Sequence, residues 1–161
     1  MGLNNSIERS LKIVAEDRRL TNRLMGIWNA VRAGGESCPR ADLFLDNLSS
    51  DLLESCCFAE RTGDGEWELY QIGATIGRCS GVSSDTCKVV DLPAGSLLAV
   101  AVKDLRTAFM SRSVILDQGE VQDQYGRKTL FRSVLLPLAD ASGQVIRFVA
   151  GARCRTCIHD V

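Results

Sequence analysis

The chain has 161 residues and 17.5 kDa, with 45% hydrophobic and 24% charged residues, enough for one domain to bury a core without disulfides or metals. Lys and Arg number 19 against 20 Asp and Glu, a formal net charge of −1, so no basic field exists to hold nucleic acid or an anionic lipid surface. No apolar run approaches the ~20 residues of a membrane span, no signal-peptide pattern opens the chain, and the lone histidine, His159, removes most triad chemistry, so the expectation is a cytoplasmic domain that is not an enzyme.

From Ser6 to Arg19, Ile7, Leu11 and Val14 share one helical face, with Ser6 placed to cap it. A second helix carries Leu20, Leu24, Ile27, Trp28 and Val31 on one stripe and is stopped by Gly34-Gly35. After Pro39, residues Leu43 to Leu53 read as short helical turns, with Asp42 and Ser50 as cap candidates. Cys56–Arg61 and Glu66–Ile72 flank Thr62-Gly63-Asp64-Gly65, a hairpin signal. The glycines and serines from Gly73 to Ser84 predict a series of turns. A single helix is predicted after Ser96, with Leu98, Val102, Leu105 and Phe109 on its buried face. Three strands close the chain, Ser113–Val121, Arg127–Leu138 and Gln144–Arg153, with turns between them. In the middle one Lys128, Leu130, Arg132, Val134 and Leu136 alternate with Thr129, Phe131, Ser133 and Leu135.

Seven cysteines, an odd number, and a chain without a secretion signal argue for free thiols. Cys56, Cys57 and Cys79 read as small buried hydrophobes. Cys154-Arg155-Thr156-Cys157 is the one CxxC; it stands at the end of a strand without a second pair, which makes Cys154 and Cys157 weak candidates for a metal or redox site. Asp85 and Asp104 have no recognisable catalytic pairing, and no Gly-rich phosphate loop follows a strand.

Two strands, a helical segment and three more strands favour an α+β fold: five antiparallel strands with helices on one face, plus an N-terminal helix. Trp28-Asn-Ala-Val-Arg32-Ala-Gly34-Gly35, then Pro39-Arg40-Ala-Asp42, Leu69-Tyr-Gln-Ile-Gly73-Ala-Thr75, Gly77 to Gly81 and Leu135-Leu136-Pro137-Leu138 together resemble the stand-alone single-domain PAS proteins of the α-proteobacterial type. The resemblance covers Leu20 to Cys154 and divides the chain into a dimerising or flanking helix over 1–19, a PAS domain over 20–154 and a tail over 155–161. It departs from the pattern at Ile76-Gly77-Arg78-Cys79-Ser80-Gly81, which lacks the aspartate of the usual turn.

The resemblance implies a sensory or interaction module without an output domain of its own. It would bind a small molecule, dock a protein partner such as a histidine kinase, a response regulator or a polarity factor, or do both, in the control of motility or the cell cycle. Neither the flavin photosensor motif nor a haem ligand within the fold is present, so the cofactor is unknown. Inward-facing positions of that fold name Tyr70, Arg106, Phe109, Arg132 and Ser133 as the ligand pocket, an arginine there suiting an anionic ligand. The resemblance also implies a homodimer through Ile7, Leu11 and Val14. The competing readings are a thiol or zinc sensor built on Cys154 and Cys157, and a ligand-free scaffold.

Overall fold

A computed structural model describes residues 19–32, 37–122 and 125–156. Helix α1 covers 19–31, followed by the short helices α2 (Ala41–Asp46) and α3 (Ser50–Leu53). Strands β1 (Cys56–Arg61) and β2 (Trp67–Tyr70) form the first hairpin. Helix α4 (Ala74–Ser80), the two-residue strand β3 (Cys87–Lys88), a 3-10 turn (Val89–Asp91), and helices α5 (Leu97–Ala101) and α6 (Leu105–Ser111) come next. The chain then runs through β4 (Ile115–Gln122), β5 (Lys128–Ala139) and β6 (Val145–Thr156). One antiparallel sheet holds all the strands in the order β3-β2-β1-β6-β5-β4, with the helical segment crossing from one edge to the other. That is an α+β arrangement of one antiparallel sheet with helices, as expected. No helix of the described residues is long and apolar enough to cross a membrane.

The hairpin turn forms as its residues dictate. Thr62 N–H bonds to the Glu66 carbonyl at 2.7 Å, Asp64 accepts the Glu66 N–H at 3.1 Å, and Gly65 takes φ 85°, open to glycine at little cost. The turn before β6 repeats the device, with Asp140 Oδ1 accepting from the Ser142 and Gln144 amides and Gly143 at φ 86°.

Three features differ from expectation. The sheet has six strands rather than five, because β3 adds two residues to the edge of β2, too short a run to show alternation in sequence. The stretch predicted as turns contains α4, which is built from outside. The amides of Thr75 and Ile76 donate to the Glu54 carbonyl at 3.0 and 3.1 Å, and Gly73 N–H reaches the Cys56 carbonyl at 2.9 Å. Gly81, at φ 71°, ends the helix, with Gly81 and Val82 bonding back to the Arg78 and Gly77 carbonyls. The single helix after Ser96 is broken between Ala101 and Leu105; Ser96 does cap its first part, accepting from Ala99 N at 3.2 Å.

Helices lie on both faces. On the inner face, Ile76, Leu98, Val102, Leu105 and Ala108 pack on Cys57, Ala59, Leu69, Phe131, Leu135 and Phe148. On the outer face, Leu20, Leu24 and Trp28 of α1 and Phe44 of α2 pack on Cys56, Phe58, Val134, Leu136, Leu138 and Val149. Helices on one face thus become a sheet enclosed by α4–α6 on one side and by α1–α3 on the other, while the predicted N-terminal helix over 1–19 lies, but for Arg19, outside the described residues. The period of two sends adjacent residues such as Cys56 and Cys57 to opposite cores.

Candidate functional site

Strand alternation sorts the expected pocket residues between the two faces. On the inner face, Trp67 of β2 meets the rings of Phe109 and Phe148 edge-on, at 5.8 and 5.6 Å between centroids. Arg61 caps the group, its guanidinium 5.4 Å from the Phe109 ring. Phe109 therefore fills the core with its neighbours. Ser133 is buried, and Arg106 is exposed on α6.

Tyr70 and Arg132 face the other way. Tyr70 stacks obliquely on Phe58 at 5.7 Å, and its hydroxyl donates to Glu60 Oε1 at 3.2 Å. Arg147 donates to the same oxygen at 2.8 Å and holds its guanidinium 5.7 Å from the Tyr70 ring. Burial, followed in size by the opposing charges of Arg147 and Glu60, pushes the Tyr70 hydroxyl well above its ordinary value. Tyr70 is thus engaged within its own sheet. Glu60 and Arg147 were not singled out from sequence, because their pairing needs the β1–β6 register that sets them opposite each other.

Arg132 lines a groove of about 550 Å³ between α1 and the β4–β5 ladder. Asn22 and Met25 form one wall, and Leu116, Gln118 and Arg132 the other. Leu116 is 61% exposed and Leu130, on the same face, 40% exposed. On its inner side this ladder carries an ion pair, Lys103 to Asp117 at 2.8 Å. The expected five-residue pocket is therefore corrected. Arg132 and Ser133 both line the groove beside α1, whereas Tyr70 packs on Phe58, Phe109 belongs to the inner face and Arg106 is exposed on α6, so the five do not line one cleft. The expected dimer residues Ile7, Leu11 and Val14 lie outside the described residues.

The thiols differ sharply among themselves. Burial pushes Cys56 up to about 12 and holds Cys57 up as well, keeping both protonated. Cys79, half-buried on α4, moves the opposite way, down to about 7. A hydrogen bond with Cys154 is the main cause, opposed by burial and helped by the Arg78 charge. Cys154 stands on β6 opposite Phe131, at the margin of the inner core. Cys56 and Cys57 pair with Gly151 and Ala150, farther back along β6 than Cys154. Among the described residues no three of His, Cys, Asp and Glu gather as a metal site; Cys157 and His159 lie outside them. Cys79 was legible as a cysteine, but its neighbour was not, since 75 positions of chain separate it from Cys154.

No family model and no curated protein matches the chain. Among solved structures it is similar to the light-state structure of the blue-light photoreceptor Aureochrome1 LOV, with 14% identity and a TM-score of 0.46 over 69% of this chain and 91% of that one. It is also similar to a light-oxygen-voltage domain studied with a flavin analogue, with 12% identity and a TM-score of 0.43 over 63% of this chain and 77% of that one. Both similarities are distant, and the assignment of fold rests on the strand order and connections above.

Proposed function

We propose that this chain is a non-catalytic, PAS-type signalling module that acts by docking, with the open outer face of β4 and β5 as its contact surface. The observation that carries this reading is the unequal covering of the sheet. Trp67, Phe109, Phe148 and the helices α4–α6 fill the inner face. The outer face is roofed by α1 and α2 over β1, β6 and part of β5, but leaves Leu116 and Leu130 in solvent beside the α1 groove. Exposed apolar residues next to a groove mark contact surfaces. The occupant we favour is a second copy of the chain, with Ile7, Leu11 and Val14 supplying the apolar stripe that meets it; a histidine kinase, response regulator or polarity factor is the heterologous alternative.

Light scattering of the full chain, of a chain lacking residues 1–18, and of Leu116→Glu tests this. A dimer mass for the full chain and a monomer mass for both variants are expected. A monomeric full chain, or dimers unchanged in both variants, overturns it.

Arg132 supports ligand binding in the same groove, since it lines that groove together with Gln118 and Asn22 and a guanidinium suits a carboxylate. Native mass spectrometry of the purified chain should then show a non-covalent mass excess that Arg132→Met removes. An excess retained in that variant, or none in the unaltered chain, ends the ligand reading while leaving the docking one standing.

A further inference from the structure

Helix α4 is fixed at both ends before its cysteine is considered. At its start the amides of Thr75 and Ile76 and of Gly73 bond to carbonyls of Glu54 and Cys56. The backbone lies so close there that a Cβ on Gly73 would stand 2.3 Å from the Leu53 carbonyl oxygen. At its end Ser80 is buried, its hydroxyl donating to the Ile76 carbonyl at 2.8 Å and accepting from the Leu98 amide at 2.9 Å, which ties α4 to the first turn of α5. Cys154 is fixed equally well, by the pairing of β6 with β5 on both sides of Phe131. Two thiols 75 positions apart are thus carried by two elements in contact with each other and pack on the same core. Both pack on the margin of the inner core, half-buried rather than sealed.

We propose that Cys79 and Cys154 are a peroxide-responsive dithiol that closes into a disulfide across the contact between α4 and β6. The proposal is independent of the docking reading. Cys79 follows Arg78, whose positive charge favours the thiolate, so Cys79 is the attacking sulfur. Its thiolate attacks one oxygen of a hydroperoxide such as hydrogen peroxide. The O–O bond breaks, hydroxide leaves and takes up a proton, and Cys79 becomes a sulfenic acid. The Cys154 sulfur then attacks the Cys79 sulfur, the S–O bond breaks, and the departing hydroxide takes the Cys154 proton. The two thiols are oxidised by two electrons and the peroxide is reduced to two waters. The new bond would lock the helical layer of the inner face to the last strand.

The experiment uses the full chain, reduced, exposed to hydrogen peroxide, quenched with N-ethylmaleimide and digested with trypsin for mass spectrometry. Cleavage after Arg78, Lys88, Arg153 and Arg155 places Cys79 in the fragment Cys79–Lys88, Cys154 in Cys154-Arg155, and Cys157 in a separate fragment. The expected product is the first two fragments joined and lacking two hydrogens, in most chains, retained in Cys87→Ser and lost in both Cys79→Ser and Cys154→Ser. A link from Cys154 to the Cys157 fragment instead, a link that Cys87→Ser abolishes, or full alkylation of Cys79 and Cys154 after peroxide overturns the proposal. Because the unaltered chain supplies the fragment map, the result stands even if a serine variant folds poorly.

Discussion

Helices α4 and α1 lie on opposite faces of one sheet and are held there by different means. Main-chain hydrogen bonds to the Glu54 and Cys56 carbonyls sew α4 into the start of β1, and a buried serine joins it to α5. Side chains hold α1. The Trp28 indole donates to the Pro137 carbonyl at 2.9 Å, Leu24 presses onto Gly151, and the exposed ends of Arg23 and Asp51 meet at 3.2 Å. Proline can supply that carbonyl because it lies past Leu135, the last β5 residue paired with β4, where the strand has a free edge. Main-chain anchorage fixes a position whatever the surrounding side chains do, whereas side-chain anchorage can be released one residue at a time. The inner helices are therefore the rigid frame, and α1 is the element whose docking a partner or second copy can exchange.

That contrast can be broken most severely at Gly73. In Gly73→Ala the new Cβ would meet the Leu53 and Glu54 carbonyl oxygens at 2.3 and 2.4 Å, backbone atoms with nowhere to retreat. The expected loss is ~3 kcal/mol or more of global stability in urea denaturation. A loss below ~1 kcal/mol would show that α4 is not anchored as described.

Trp28→Phe sharpens the other side of the comparison, keeping a ring while removing the indole N–H and leaving the Pro137 carbonyl without its donor. A cost of ~1–3 kcal/mol is expected. Amide hydrogen exchange should accelerate in α1 while α4 keeps its protection; equal acceleration in both helices would erase the distinction.

The smallest effect is set by pH. Cys56 on the outer face and Cys57 on the inner keep their protons in the folded chain above the ordinary thiol value of 9.0, whereas the unfolded chain releases them there. Their effect is absent below that value and destabilises increasingly above it, by about 1 kcal/mol per thiol one pH unit higher. The lowered Cys79 acts in the opposite sense and below pH 9, so the fall should begin above it. Thermal midpoints measured from about pH 8 to pH 10.5 check the sign, and Cys56→Ala should flatten the decline.

Much of the scaffold was legible in the sequence. The alternation along β5, the hairpin at Thr62–Gly65 and the cap at Ser96 are decided by neighbours a few positions apart, and each appears in the structure. The α+β class followed from their order. The functional surface was much less legible. Tyr70, Arg106, Phe109, Arg132 and Ser133 were grouped as inward-facing residues of an assumed cleft, but β-strand parity assigns Tyr70 and Arg132 to the outer face. Helix α4 was hidden because bonds from Glu54, not its own glycine-rich composition, hold its first turn.

The sequence by itself determined the elements that depend on local spacing: strands by period two, turns by Gly and Asp, and the stripe of α1 by Leu20, Leu24 and Trp28. Tertiary structure alone decided which residues meet across a long separation, namely Cys79 with Cys154, Glu60 with Arg147, and Trp28 with Pro137. The reason is that strand register and helix docking are set by how whole faces fit together, and no single residue carries that information.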